Sequence, residues 1–368
     1  MKILLITDSY PPDHTGSGKR LQLTYKHLRK KYGLNFEVIS LYPRKEVLKG
    51  NNDEVILWLP KSFRVREILR LFYLLFSSER DYDLIHIAGR SKLTITASWV
   101  CILLKYPFII EFVIDSSNNI QNKNIIKRMI LKCFSKASGY IAMNKSIEDD
   151  YLKSGVAYKD ILPRPNAYIS KFENGSKEHI IKADIGLNTQ FNHLMISRIC
   201  DRKGYFYALE LIKKLPKEHG LYIRGPLLNK EDEIYLESLN KFISKNNLSN
   251  RVKIVPKFIE SPELLMKEFD TLWMTSKREG FPNVVIESLC QGTPVVVGDW
   301  LSFVDYMTPL EDRMVVVTDD IDDSANKLIS FTKRKIDPTI TKVRAREYFN
   351  FNKYLESTYT FFKNITSK

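Results

Sequence analysis

Short apolar runs alternate with longer amphipathic stretches along nearly the whole chain. In the first half the pattern predicts strands at 2–7, 35–41, 54–58, 84–87, 108–113 and 139–142, with helices at 18–31, 64–77, 91–104, 122–136 and 145–153. This is the alternation expected of a parallel sheet covered by helices on both faces. A less regular stretch from about 163 to 189, carrying Pro165, Gly175 and Gly186, reads as a link. Beyond it the alternation restarts, with strands at 192–197, 220–224, 252–255, 271–274, 294–297 and 314–317 and helices at 203–214, 229–245 and 322–334. The tail carries Tyr348, Phe349, Phe351, Tyr354, Tyr359, Phe361 and Phe362 and needs a surface to cover. The reading is an α/β chain of two facing, doubly wound domains with a cleft at the carboxyl ends of both sheets. Residues 1–165 form the first, 166–190 the link, 191–345 the second, and 346–368 a terminal helix packing back on the first.

Two stretches test for membrane or export signals. The opening apolar run at 3–6 is too short for a signal peptide. The long run at 93–114 is interrupted by Lys105, Pro107 and Glu111, and reads as a buried helix followed by a buried strand.

Composition narrows the class. A length of 368 residues favours two domains, and 44% hydrophobic with 27% charged residues argues against disorder or a disulfide scaffold. Net charge is +14, unevenly placed: residues 1–165 hold 27 basic against 16 acidic residues, a surplus of 11. That half implies an anionic neighbour such as a membrane surface, nucleic acid or phosphorylated substrate. Cys101, Cys133, Cys200 and Cys290 form no CxxC pair and read as reduced, buried thiols of a cytosolic protein. The six histidines are scattered along the chain, so no zinc site is expected.

The most informative segment is Glu279-Gly280-Phe281-Pro282-Asn283-Val284-Val285-Ile286-Glu287. It follows a predicted strand. Gly280 permits backbone conformations other residues resist, Pro282 fits the first turn of a helix, and Gly292 ends that helix. The arrangement aims backbone amides at the cleft, a ready anion site. It also sets Glu279 and Glu287 at two depths of one pocket, where carboxylates suit a ligand with vicinal hydroxyls. The alternative is a solvated helix with two ordinary glutamates.

The run EGFPNVVIESLCQGTPVV resembles the donor-site signature of retaining family 4 glycosyltransferases, which have the GT-B fold of two Rossmann-like domains. Ser197-Arg198-Ile199 with Lys203-Gly204 resembles that family's G-R-L…K-G segment, Ser197 standing where glycine is usual, and residues 251–255 resemble the strand before the donor-base pocket. The resemblance implies that Arg198 and Lys203 bind the donor diphosphate, that Glu287 binds ribose hydroxyls and that Glu279 binds the donor sugar. Gly280, Phe281, Pro282 and Asn283 would line the sugar and phosphate. It also implies retention of configuration by front-face attack, with no metal or other cofactor, UDP-sugar being the commonest donor. A cationic pair suits a leaving nucleoside diphosphate as its charge develops.

In the first half, Pro11-Pro12-Asp13-His14-Thr15-Gly16-Ser17-Gly18 precedes a helix expected near Lys19 and resembles the family's glycine loop, so Gly16, Ser17 and Gly18 are further donor-site candidates. A dinucleotide fingerprint fails because Leu21 stands at the third glycine. The family's histidine after the fifth strand is missing. Glu111 or Asp115 could take a polar role there, and Asp115 joins Glu279, Arg198 and Lys203 as a candidate. His14 is another candidate, while His86, at a strand end, can simply face the core. Asp81-Tyr82-Asp83 is read as a turn into a strand rather than a metal-binding D-x-D.

Residues 61–78, basic and strongly apolar, read either as a sheet-covering helix or as a surface for an anionic membrane. The partners implied are a nucleotide-sugar donor, a glycan or lipid-linked acceptor and an anionic membrane surface, at a cytoplasmic or inner-face location in cell-envelope glycan synthesis. No RNP-like run, helix-turn-helix or zinc finger suggests nucleic acid. The rivals are a GT-B sugar-nucleotide epimerase, which needs no acceptor, and a basic membrane- or polyanion-binding protein with a degenerate site.

Overall fold

The computed structural model describes residues 1–12, 16–41, 56–59, 73, 81–112, 132–169 and 186–367. The chain divides into two compact units, Met1–Pro165 with Asn352–Lys368, and Asn166–Phe351. Apart from Tyr73, the predicted helix at 64–77 and the 61–78 segment lie outside the described residues, as do most of the predicted helix at 122–136, His14 and Asp115.

The first unit is built on β1 (Lys2–Thr7), β2 (Asn35–Leu41), β3 (Ile56–Leu59), β4 (Leu84–Ala88), β5 (Phe108–Glu111), β6 (Gly139–Ala142) and β7 (Ile161–Pro163). All run parallel in the order β3-β2-β1-β4-β5-β6-β7. Ile3 faces both Phe36 and Leu84 across the ladders, and every residue of β1 after Lys2 is buried. Helices α1 (Gly16–Tyr32), α2 (Lys92–Leu104) and α3 (Lys145–Lys153) accompany this sheet. The apolar run beginning at Leu93 is a helix then a strand. Ser91 caps α2, accepting from the amides of Leu93 and Thr94, and Lys105 ends it in the left-handed conformation (φ 58°). The strand β5 stops at Glu111, two residues before the predicted end, and β7 is not predicted, only its last residue falling in the irregular stretch that begins near 163. Its Pro163 is tolerated because β7 is the edge of the sheet.

The second unit repeats the plan with β8 (Phe191–Ile196), β9 (His219–Arg224), β10 (Val252–Val255), β11 (Thr271–Met274), β12 (Val295–Gly298) and β13 (Met314–Val317), parallel in the order β10-β9-β8-β11-β12-β13. Its helices are α4 (Tyr205–Lys214), α5 (Lys230–Lys245), α6 (Pro262–Met266), α7 (Asn283–Gln291), α8 (Ile321–Thr332) and α9 (Pro338–Tyr348). The core includes Met195, Ile199, Leu211, Ile223, Trp273, Val296 and Leu328. At the amino-terminal end of this sheet His193 Nε2 lies 2.9 Å from His219 Nδ1, and His193 Nδ1 lies 2.8 Å from Thr271 Oγ1. The two rings stack and are buried, so desolvation holds both below the ordinary histidine pKa, His219 at about 4. Histidines 26 positions apart become neighbours because β8 and β9 pair in register.

The final helix, α10 (Phe351–Thr366), buries Tyr354, Leu355, Thr358, Phe362 and Ile365, the 3–4 residue spacing of one helical face. Tyr359 stacks on Tyr32 of α1 at 4.1 Å, and Gly139 leaves room for Phe361 and Ile365, which any Cβ there would strike. Beneath α10 lies a charge network. Glu111, fully buried, is paired with Arg20, with Arg164 Nη2 (3.1 Å) and with His86 Nε2 (3.1 Å). Arg20 also donates to the Tyr354 hydroxyl (3.0 Å), Arg164 to Thr358 Oγ1 (2.5 Å), and Tyr25 Oη meets His86 Nδ1 (2.8 Å). Burial alone would raise the Glu111 pKa, but the two guanidinium groups outweigh it and hold the carboxyl far below the usual range. His86 lies in the middle of β4 rather than at its end, and burial lowers its pKa.

Candidate active site

In the second sheet the chain leaves β8 towards β9 on one side and joins β11 on the other, so the loops after β8 and β11 diverge from a topological switch point. Ligands of open α/β sheets bind at such points. The two loops are stitched together by backbone. Gly204, at φ 69°, passes so close to the Thr275 carbonyl oxygen that a Cβ would lie 1.8 Å from it. Thr275 Oγ1 donates to the Gly204 carbonyl (3.1 Å), and the Lys277 amide donates to the Arg202 carbonyl (2.8 Å). Beside them, a Cβ at Gly225 would lie 1.7 Å from the Ser197 oxygen.

This stitching brings Lys203 and Glu279 together. Lys203 Nζ lies 2.6 Å from Glu279 Oε1, and Arg202 Nη1 reaches the same oxygen at 3.0 Å while donating to the Arg278 carbonyl. Burial would raise the Glu279 pKa, yet Lys203 and Arg202 prevail and keep it below the ordinary value. Arg198 is directed elsewhere. Its Nε and Nη2 form a fork on Asp232 (2.8 and 2.9 Å), in the first turn of α5. Ser197, in the usual glycine position, hydrogen-bonds the buried Tyr205 hydroxyl at 2.7 Å.

The loop after Glu279 is anchored by Phe281, whose ring is buried against Phe303 and Phe349. Pro282 is the N-cap of α7 and Asn283 its first residue, so the expectation that Pro282 lies inside the first turn is one position out. An extended Pro282 (ψ 122°) sets the helix entry instead. Proline offers no side-chain acceptor to the first amides of α7, and the Val285 amide turns back to the Pro282 carbonyl (3.2 Å). The helix ends as expected at left-handed Gly292 (φ 97°), and Glu287 sits half-buried one turn beyond Asn283.

Asn166 was overlooked in the sequence. Buried, it donates from Nδ2 to the Phe281 carbonyl (2.7 Å) and to Asn283 Oδ1 (3.0 Å). Two residues on, the Tyr168 hydroxyl accepts from Gln291 Nε2 (2.9 Å), so this short segment holds α7 at both ends. Asp232 was overlooked too; in sequence it is one of three acids in a row and nothing sets it apart.

In the first unit, α1 begins at Gly16, three residues ahead of the expected Lys19, so Gly16, Ser17 and Gly18 form its first turn, exposed, half-buried and buried in turn. At that sheet's own switch point Asp8 Oδ2 accepts from the Arg90 amide (2.7 Å), and a Cβ at Gly89 (φ 125°) would strike the same carboxylate. Glu111 is turned inward as a structural charge. Asp83 accepts from the Lys2 amide (2.7 Å), consistent with a turn into a strand. Cys101, Cys133 and Cys290 are buried, whereas Cys200, in the loop after β8, is half-buried, which corrects the expectation for that thiol. Among the described residues no three histidine, cysteine or acidic side chains cluster as a metal site.

Residues 178–348 match the family model of glycosyl transferases group 1. Over this segment the chain is similar to glycosyl transferases group 1. Among relatives, an uncharacterized glycosyltransferase of Methanocaldococcus jannaschii is 28% identical over 158 residues, 42% of this chain and 37% of that protein. The O-antigen biosynthesis glycosyltransferase WclY of Escherichia coli is 32% identical over 113 residues, 28% of this chain and 31% of WclY. The chain thus spans about a third of the length of the curated relatives it matches. Of solved structures, HepE of Anabaena in complex with UDP aligns over all of both chains with a TM-score of 0.76 at 16% identity. Sucrose-phosphate synthase from Thermosynechococcus elongatus gives 0.76 at 16%, over 100% of this chain and 99% of that one. At such identity the likeness is one of fold, and that fold is GT-B. The matched segment holds Arg198, Lys203, Glu279 and Glu287.

Proposed function

We propose that the protein is a retaining glycosyltransferase that moves a sugar from a nucleotide diphosphate sugar, with UDP as the base-rate choice, to an acceptor hydroxyl. The observation that carries the reading is the convergence of Lys203 and Arg202 on the half-buried Glu279, at the switch point of the second sheet beside the α7 amino terminus. In this reading, charge grows on the diphosphate as its bond to the anomeric carbon breaks. Lys203, Arg198 and the α7 amides stabilise that charge, so the reaction runs without a metal. The leaving phosphate takes the proton of the acceptor hydroxyl, which attacks the same face of the sugar. Glu279 positions the donor sugar and keeps Lys203 in place, and Glu287 binds ribose hydroxyls. The UDP complex of HepE and the O-antigen role in WclY's name support a nucleotide-sugar donor and a cell-envelope glycan product.

The surplus of basic residues in 1–165 supports a peripheral contact with an anionic membrane, where a lipid-linked acceptor would be met. No helix among the described residues is long and apolar enough to cross a membrane.

The test is a thermal-shift screen against nucleotides and nucleotide sugars without metal, beside Glu287→Ala. Binding to the folded state alone raises the melting temperature. The expected result is a shift with UDP and UDP-sugars that Glu287→Ala abolishes. No shift with any nucleotide overturns the reading, and product formed without acceptor reassigns the enzyme as an epimerase.

A further inference from the structure

We propose that Asp232 is a positioning residue that fixes Arg198 in the orientation needed to meet the donor diphosphate, an inference that rests on the glycosyltransferase reading above. Arg198 follows β8 by two residues, its side chain is 30% exposed, and an arginine so placed has many rotamers. Asp232 removes that freedom. Its carboxylate, 3% exposed, takes Nε and Nη2 in a planar fork at 2.8 and 2.9 Å. The carboxylate is itself fixed: Oδ2 accepts the Leu228 amide at 2.7 Å, and the Asp232 amide donates to Asn229 Oδ1 at 3.0 Å. The helix does not need this acid for its dipole, because Glu231 and Glu233 occupy the same first turn.

The fork uses one edge of the guanidinium. The remaining N–H groups, on Nη1 and the outer side of Nη2, form a second edge able to grip a phosphate in bidentate fashion. Asp232 would thus hold Arg198 from behind while its other edge meets the anion. A cation already in place stabilises charge as it develops on the leaving phosphate, whereas a wandering one must first be ordered. Asp232 touches neither substrate nor reacting atoms. It acts through Arg198.

The substitution Asp232→Asn separates this role from two others. It keeps the shape but removes a negative charge beside an anion site. Positioning therefore predicts that kcat falls about ten-fold or more while UDP affinity stays within about three-fold or tightens. If Asp232 merely tempers the local charge, UDP binds tighter and kcat holds or rises. If it serves only the fold, the melting temperature falls and both parameters of the folded enzyme hold. Either of these results overturns the proposal.

The second arm uses Arg198→Lys, which cannot donate the fork. In that background Asp232→Asn is expected to cost no further kcat, and an equal loss in both backgrounds also overturns the proposal. Should Asp232→Asn fail to fold, Asp232→Glu, which keeps the charge but displaces the fork, reads the same contact. A ten-fold loss of kcat with UDP affinity kept within about three-fold supports it, and unchanged kcat overturns it. A wild-type enzyme that shows neither a UDP shift nor turnover refutes the glycosyltransferase reading instead.

Discussion

Glu111 and Glu279 each face two cations, one in each unit of the chain, and the two clusters have opposite character. Glu111 and its partners Arg20 and Arg164 are at most 5% exposed, and the two arginines spend further donors on the hydroxyls of Tyr354 and Thr358. Glu279 is 13% exposed, Lys203 likewise, and Arg202 43%. The first cluster has spent its charges on one another in a dry interior, where breaking a pair leaves an uncompensated ion. The second keeps polar groups within reach of solvent at the carboxyl edge of a sheet. Residue types barely distinguish them. Access does.

The largest expected effect breaks the closed cluster. Glu111→Gln leaves Arg20 and Arg164 buried without their anion and is expected to cost about 3–5 kcal/mol of stability in urea unfolding. A loss below about 1 kcal/mol would place Glu111 with the open cluster. Next, Glu279→Ala is expected to lower turnover about 10²–10³-fold. Its effect on stability should stay within about 1 kcal/mol, because its partners remain partly hydrated. Turnover unchanged with donor bound normally would remove Glu279 from the site.

A third prediction concerns the histidine pair. Buried His219 titrates at about 4, well below its unfolded value near 6.5. Above pH 6.5 neither state takes up the proton and this contribution is flat. Between about 6.5 and 4 the unfolded chain binds a proton that the buried ring refuses, so stability falls by up to about 1.4 kcal/mol per pH unit for each such histidine. Urea titrations at pH 5 and 7 measure the slope, and replacing His193 and His219 by glutamine should lessen it, the buried His86 keeping its own share. The smallest effect is Asn166→Ala, which strands the Phe281 carbonyl at a cost of about 1 kcal/mol. It should raise donor KM a few-fold with kcat nearly kept, and steady-state kinetics at varied donor will show whether it does.

The sheet and its helices were legible because continuous apolar runs give strands buried on both faces: β10, β11 and β13 begin and end where the pattern places them. The pattern failed where tertiary context decides. The three-residue β7 hides among prolines, and α9 buries only Thr341 and Ala345, leaving a weak helical period behind its Asp337 cap. The site motif displayed Lys203, Glu279 and Glu287 because glycine and proline punctuate that stretch. Asp232 and Asn166 carried no such mark, since their roles arise from partners 34 and more than 100 positions away. Glu111 showed the converse: a charge after an apolar strand suggested a polar role near the reacting centre, and only packing revealed the two arginines that close over it.

The first unit is assembled from two stretches of chain separated by the whole of the second. On the ribosome, residues 1–165 emerge with Arg20, Arg164 and Glu111 already present, but Tyr354 and Thr358 arrive only after the entire intervening unit has been made. The part synthesised first is therefore completed last. Until α10 emerges, its seat around Gly139, Tyr25 and Tyr32 is an uncovered apolar surface, the kind that chaperones bind on nascent chains.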